Sequence, residues 1–402
     1  MKLVLTLAAL VFVLAPALAA ASAGVPQFDD SIMENTDVLA YWAAHPLNPE
    51  NPARLTEIAH PAKRLNVQTE FGGDIQKAID ALPEEGGTLI LPAGEYESGF
   101  RLFKSNVHFL GEKGTVIKGA KGSAMSADPR GLDYGKMNTE WRVKGLPEYD
   151  AFWQKRIRNV YVKDIVFDGR GEARSLLQIK VANGVMFDNC EFKGVNGGRS
   201  GHGGMINGTT GSDSMWFRNC HFVGSAPYGL YWDGTFGSGY INCRFENDFG
   251  AGLLSMCNDD FTKDLDKDGK FAKKERRNTQ YFVCYGCTFA DGLKECVTLT
   301  ANDILLTKNK LEGKHHALVR FNGKTSLIYP KLTHECYNLY VIDNEVLGAC
   351  DVLAIVDATN DYMPAGQNNK SQLGKYVVKG NKGKIGQLVE EKGAIAGPNV
   401  KE

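Results

Sequence analysis

The chain has almost no net charge: 46 Lys and Arg face 47 Asp and Glu, for −1 at neutral pH. That balance excludes the basic excess on which a nucleic-acid-binding surface depends. Long apolar runs are also missing. Beyond the first residues no stretch reaches 18 apolar positions, so no membrane span is expected. The repeating body shows no helical period, and the spacing of leucine-rich repeats is absent. Cys284 and Cys287 make one Cys-x-x-Cys, but no second Cys or His pair at zinc spacing accompanies it, so neither zinc nor redox chemistry is expected there.

What the chain does contain is many short β-rich runs and 45 Gly, as a fold with many tight corners requires. It opens with Lys2, an apolar stretch from Leu3 to Leu14, and Ala21-Ser22-Ala23. These read as a signal peptide over 1–23, cut before Gly24 or, equally allowed, after Ala19. A secreted or periplasmic protein is expected, acting as a monomer.

One pattern recurs: a polar residue or Gly, then Cys or Asn, a variable residue, and an apolar one. It runs through Asn189-Cys190-Glu191-Phe192, Asn219-Cys220-His221-Phe222 and Asn242-Cys243-Arg244-Phe245. It continues as Gly286-Cys287-Thr288-Phe289, Lys308-Asn309-Lys310-Leu311 and Asp343-Asn344-Glu345-Val346. Asp164-Ile165-Val166-Phe167 and Gly380-Asn381 extend it at the two ends. Successive second positions are 25, 30, 23, 44, 22, 35 and 37 residues apart. A basic unit of 22–25 residues with insertions signals a solenoid. Units this short, built of turns and alternating strands, predict a parallel β-helix with one coil per unit. Like side chains then stack at about 4.8 Å, giving a row of buried thiols and hydrogen-bonded Asn amides.

An open β-helix end needs a cap. Asp74 suits a helix N-cap, and Ile75, Ala78, Ile79 and Leu82 follow at helical spacing. The stretch Asp74-Ile75-Gln76-Lys77-Ala78-Ile79, through Gly87-Thr88-Leu89-Ile90-Leu91-Pro92-Ala93-Gly94-Glu95-Tyr96, resembles the start of the pectin-lyase-like right-handed parallel β-helix superfamily. The resemblance implies an all-β, single-stranded, right-handed parallel β-helix over 71–385. Residues 24–70 are then an N-terminal extension, 121–156 a lateral loop, 258–280 an insertion and 386–402 a C-terminal tail. The superfamily includes lyases, hydrolases, esterases and non-enzymatic spikes, so fold alone does not name an activity.

The sharpest chemical motif lies in the 44-residue step. Residues 264–275 fit D-x-D-x-D-G-x5-E, with Asp264, Asp266, Asp268, the Lys270 carbonyl and Glu275 as Ca²⁺ ligands and Gly269 at the sharp turn. No pair of EF-hand helices flanks it. A lone calcium loop that orders a long insertion is expected.

In the superfamily, substrate lies along one parallel sheet in a groove walled by turns. Counting 11 residues past each mark places Tyr231, Leu254, Thr298 and Arg320 outward, with Asp233, Met256, Thr300 and Asn322 two further on. Gln178 and Lys180 face out from an earlier coil, and Asp357 from a later one. Glu295, the Asn309 mark and Arg320 resemble the order seen in the alginate lyase and chondroitinase B family. The resemblance implies β-elimination on an acidic polysaccharide. Arg320 or Ca²⁺ neutralises the uronate carboxylate, and a base removes the C5 proton. That family's catalytic Lys falls where this chain has Thr300, so His316 or Lys294 must replace it. Tyr231, Asp233, Glu295 and Lys180 are the expected substrate contacts. Arg320, on an exposed strand, is expected to be replaceable by Ala with the melt nearly unchanged. Two alternatives stand: a non-catalytic glycan- or surface-binding β-helix, and a glycoside hydrolase using Asp233 with Asp259 or Asp260. Gly201-His202-Gly203 matches a short polygalacturonase tripeptide, but its companion motifs stand in reversed order.

Overall fold

The computed structural model describes residues 24–29, 37–97, 99–119, 123–130, 155–173, 175–195, 204–209, 212–224, 228–233, 235–246, 254–257, 280–290, 295–299, 301–322, 335–336, 338–358, 372–393, 395 and 397–402. At 207–209, 228–233, 254–257, 335–336 and 372–373 only the backbone is described. Twelve strands form one parallel sheet, ordered along the chain from Arg64–Asn66 to Val400–Lys401. A second sheet holds two columns. Short strands such as Glu191–Val195, His221–Val223 and Arg244–Glu246 follow each repeat mark. Longer strands follow these: Ser175–Lys180, Gly204–Thr209, Tyr228–Asp233, Leu254–Cys257, Glu295–Leu299 and Lys314–Asn322. Each coil visits the first sheet, a short strand and a long strand, then returns. This is the expected parallel β-helix. Strand pairing extends past both ends of 71–385, from Arg64 to Lys401. Ser123–Ala127, placed in the lateral loop from sequence, is a long-column strand paired with Phe100–Leu102 and Ser175–Lys180.

The repeat pattern is the turn between the first sheet and the short strand. Its first residue adopts the left-handed conformation in every coil: φ is 58° at Asp164, 53° at Asn189, 56° at Asn219, 52° at Asn242, 64° at Gly286, 57° at Lys308, 56° at Asp343 and 66° at Gly380. Asn, Asp and Gly tolerate this conformation best, which explains the position's composition. Lys308 is the exception, and its ammonium pairs with Glu50.

The second residue points inward. Cys190, Cys220, Cys243, Cys287, Asn309 and Asn344 are all buried. The Asn309 Oδ1 accepts the Cys287 N–H at 2.9 Å, and its Nδ2 donates to Asn344 Oδ1 at 2.9 Å and to the Cys284 carbonyl at 3.0 Å. Asn344 repeats the arrangement, donating to Asn381 Oδ1 at 2.9 Å and to the Leu306 carbonyl at 3.1 Å. In earlier coils thiols take over. Cys220 donates to the Phe187 carbonyl at 3.5 Å and Cys243 to the Phe217 carbonyl at 3.3 Å.

The fourth residue builds the core. Phe167, Phe192, Phe222, Phe245 and Phe289 stack with successive centroids 5.0–5.2 Å apart and planes within 11°. A second stack, Phe187–Phe217–Tyr240, crosses it edge-to-face. Such pairs contribute about 0.5–1.5 kcal/mol each beyond area burial. The helix Ile75–Ala81 closes the N-terminal end: Asp74 accepts from Lys77 N–H, and Ile75, Ala78, Ile79 and Leu82 all join the core. No helix among the described residues is long and apolar enough to cross a membrane.

The extension is a strap along the outer face of the first sheet. Asn183 accepts the Phe28 N–H at 2.8 Å and donates to its carbonyl at 3.0 Å, and Ser214 donates to the Pro26 carbonyl at 2.7 Å. The helix Val38–Ala44 then buries Val38, Tyr41 and Trp42, with Trp42 stacked on Trp216. Outer-face residues that would otherwise lie in water, among them Trp216, Tyr281 and Tyr285, are thereby covered.

Two measurements check the ladder. Asn309→Ala strands the Cys287 N–H and the Cys284 carbonyl, so urea unfolding should show a loss of about 3 kcal/mol, whereas Asn309→Cys, the neighbouring coils' residue, should lose less. The seven described cysteines are free and buried, and burial pushes the thiols of Cys190, Cys220, Cys243 and Cys287 well above the usual range. A thiol reagent should leave all seven unlabelled in the native protein and label them after denaturation.

Candidate functional site on the long-strand face

The coil offers three outer faces, and two are occupied. The first sheet lies under the strap. The short-strand face carries Glu191, His221, Arg244, Thr288 and Lys310 in register. Its charges satisfy one another: Arg244 pairs with Glu312 at 2.9 Å and Lys193 with Glu191 at 2.6 Å. His221 Nε2 lies 3.1 Å from Glu246 but is misaligned for a hydrogen bond.

The long-strand face is different. In the eight coils that carry the repeat mark, the turn before the short strand has two residues, whereas the turns at both ends of the long strands vary widely. After Ser175–Lys180 one residue leads to the next first-sheet strand, but after Leu254–Cys257 the connection runs from 258 to 279 and after Lys314–Asn322 from 323 to 338. Insertions in a solenoid collect on one face, often the binding face.

A polar row runs along this face in strict register: Arg101, Ser126, Gln178, Asn207, Tyr231, Ser255, Thr298 and Arg320. Seven steps at strand spacing make it about 34 Å long. The register corrects the counted row in one coil. Ser255 and Cys257, not Leu254 and Met256, align with Tyr231 and Asp233, because the turn 247–253 adds one residue. Arg101, with its Asp128 partner, and Ser126 extend the row toward the cap; their coils precede the first repeat mark, which hid them from the count.

Arg320 sits in an ion triad. Its Nε donates to Glu295 Oε1 at 2.7 Å and its Nη1 to Asp357 Oδ2 at 3.0 Å. Thr298 donates to the other Glu295 oxygen at 3.2 Å. Side-chain exposure is 16% for Arg320, 7% for Glu295 and 4% for Asp357. This burial replaces the expectation that Arg320→Ala would leave the melt nearly unchanged. The two carboxylates bracket a largely buried guanidinium, and the triad carries one excess negative charge.

The remaining sequence candidates separate. His316 lies four residues before Arg320 on the same strand, about 13 Å away along extended chain, and faces Asp351 at 3.4 Å. His315 is buried, with its Nε2 on the Glu312 carbonyl, and is structural. Lys180 aligns with Thr209 in the adjoining row, and Asn322 with Asp357. Tyr231 and Asp233 hold their register positions. Lys294, Thr300, His202, Asp259, Asp260 and the whole calcium loop 264–275 lie outside the described residues. Among the described residues no three His, Cys, Asp or Glu side chains converge.

No protein-family model and no curated protein matches the chain. Solved structures do. An alginate lyase from Paenibacillus sp. str. FPU-7 matches at TM-score 0.51 and 10% identity, over 80% of this chain and 96% of that one. The fold is that of the right-handed parallel β-helix proteins. An iota-carrageenase from A. fortis matches this β-helix at TM-score 0.49 and 10% identity, over 83% and 91% of the two chains. A Geobacillus virus E2 protein matches at 0.43 and 15% identity, over 82% of this β-helix but only 60% of its own length. At these identities the likeness shows the fold alone.

Because Glu295 and Asp357 would both lose the guanidinium between them, Arg320→Ala should lower unfolding free energy by about 3–5 kcal/mol. Arg320→Ala together with Glu295→Gln should recover part of that loss, as read by denaturant titration.

Proposed function

We propose that the protein is an exported, calcium-binding β-helix polysaccharide lyase acting by β-elimination on a uronate-containing glycan laid along the long-strand face. The observation that carries this reading is the in-register polar row ending at Arg320, on the one face flanked by every variable turn. Its fold likeness to an alginate lyase supports it. Arg320 is the proposed cation for the substrate carboxylate, fixed in orientation by Glu295 and Asp357. Lys294, adjacent in sequence to Glu295, is the proposed proton acceptor ahead of His316, which is too far along the strand to share a proton with a group at Arg320. The loop 264–275 is proposed to bind Ca²⁺ and to order the insertion that follows Leu254–Cys257.

The triad favours one second reading. Glu295 and Asp357 already pair with the Arg320 guanidinium and compete there with another carboxylate, which suits a β-helix that holds glycan without cleaving it. Incubation with alginate, pectate and glycosaminoglycans, with and without Ca²⁺, separates the readings. A lyase gives ultraviolet absorbance from unsaturated ends, a hydrolase gives reducing ends without absorbance, and a binder gives neither. Arg320→Lys should fold normally and lose about 100-fold in kcat/KM, since an ammonium cannot reproduce the fork held by two carboxylates. Full activity in that variant would remove Arg320 from the site.

A further inference from the structure

The groove leaves unused a histidine pair where the strap meets the first sheet. His60, in the extension, and His108, in strand Val107–Gly111, place their Nδ1 atoms 2.9 Å apart with ring planes at 89°. His108 is fully buried, whereas His60 is exposed.

The tautomer of His108 follows from its other side. Asn159 Oδ1 accepts the Val25 N–H at 2.8 Å, which fixes that atom as an acceptor. His108 Nε2 lies 3.4 Å from the same oxygen and so carries the proton. Its Nδ1 is then a bare lone pair facing His60. Burial pushes His108 down to about 4, and burial with the nearby Arg64 and Lys163 charges lowers His60. Both rings are neutral at pH 7, the form in which imidazole ligates metal.

We propose that His60 and His108 form a two-histidine site for a divalent transition metal of tetragonal preference, Cu²⁺ or Ni²⁺, with water in the remaining positions on the solvent side. Two imidazole nitrogens this close can occupy adjacent positions of a tetragonal centre, and imidazole suits Cu²⁺ and Ni²⁺, which stand high in the order of divalent-ion affinity. The Asn159 contact supplies the outer hydrogen bond that orients a ligating imidazole. On binding, His60 moves its proton from Nδ1 to Nε2 and both rings stay neutral. Among the described residues no carboxylate joins the pair, so hard oxygen-seeking cations such as Ca²⁺ are disfavoured. The ion would bridge the extension to the coil and act as a clip on the strap.

The test uses the full chain without an affinity tag, titrated with CuCl₂ and with NiCl₂ by calorimetry, with electron paramagnetic resonance of the Cu²⁺ form. One ion per chain, nitrogen couplings from two imidazoles, no competition by excess CaCl₂ and a melting temperature raised by a few degrees are expected. His60→Ala should fold and lose the ion and the thermal shift, while His316→Ala should keep both. Equal binding by wild type and His60→Ala, or no binding by wild type, overturns the proposal and leaves the pair as a simple hydrogen bond.

Discussion

The structure depends on a two-residue turn. Its first residue bends the chain through the left-handed region, and its second sends a short side chain inward to the backbone of a neighbouring coil. A parallel coil cannot satisfy all its corner groups with strand pairing alone, and a buried orphan N–H or C=O costs about 1–3 kcal/mol. The amides of Asn309 and Asn344 and the thiols of Cys220 and Cys243 meet that requirement rung by rung. Because that corner is fixed at two residues, the phenylalanines two positions later superpose and the short strands keep register. Length variation is then pushed to the other two corners.

That displacement sets the long-strand face apart from the other two. Both ends of each long strand accept insertions of different length, while the strap and a self-paired charge lattice occupy the other faces. Along the long-strand face, uncharged residue types hold register between an arginine at each end. At one end, Arg320 is immobilised by Glu295 and Asp357, so its orientation is set before any ligand arrives. The same bracketing gives the residue a structural part beside the chemical one proposed for it, and a simple alanine exchange there would confuse the two.

Much of this was legible in the residues. The Asn-Cys-x-Phe pattern carried the coil and the inward ladder, and Asp74 with the apolar spacing after it carried the capping helix, because each depends on short-range spacing. The left-handed turn could have been read from Asp164, Asn189, Asn219, Asn242 and Gly286, which share that preference. The strap could not, since its packing on Trp216 and Tyr285 joins segments far apart in the chain. The triad was hidden for the same reason: Arg320 meets Glu295 from one coil and Asp357 from another, across turns of unequal length. The row through Tyr231 was placed correctly, and it slipped by one residue at Ser255, where a turn lengthens.

The central claim is that ligand lies along the long strands and on no other face. Hydrogen–deuterium exchange read by mass spectrometry, with and without a saturating uronate oligosaccharide, tests it most directly. Added protection should fall in peptides spanning the long strands Glu295–Leu299 and Lys314–Asn322 and the turns beside them. Protection confined instead to the strap over 37–60, or to the short strands from Glu191 to Leu311, would contradict the account.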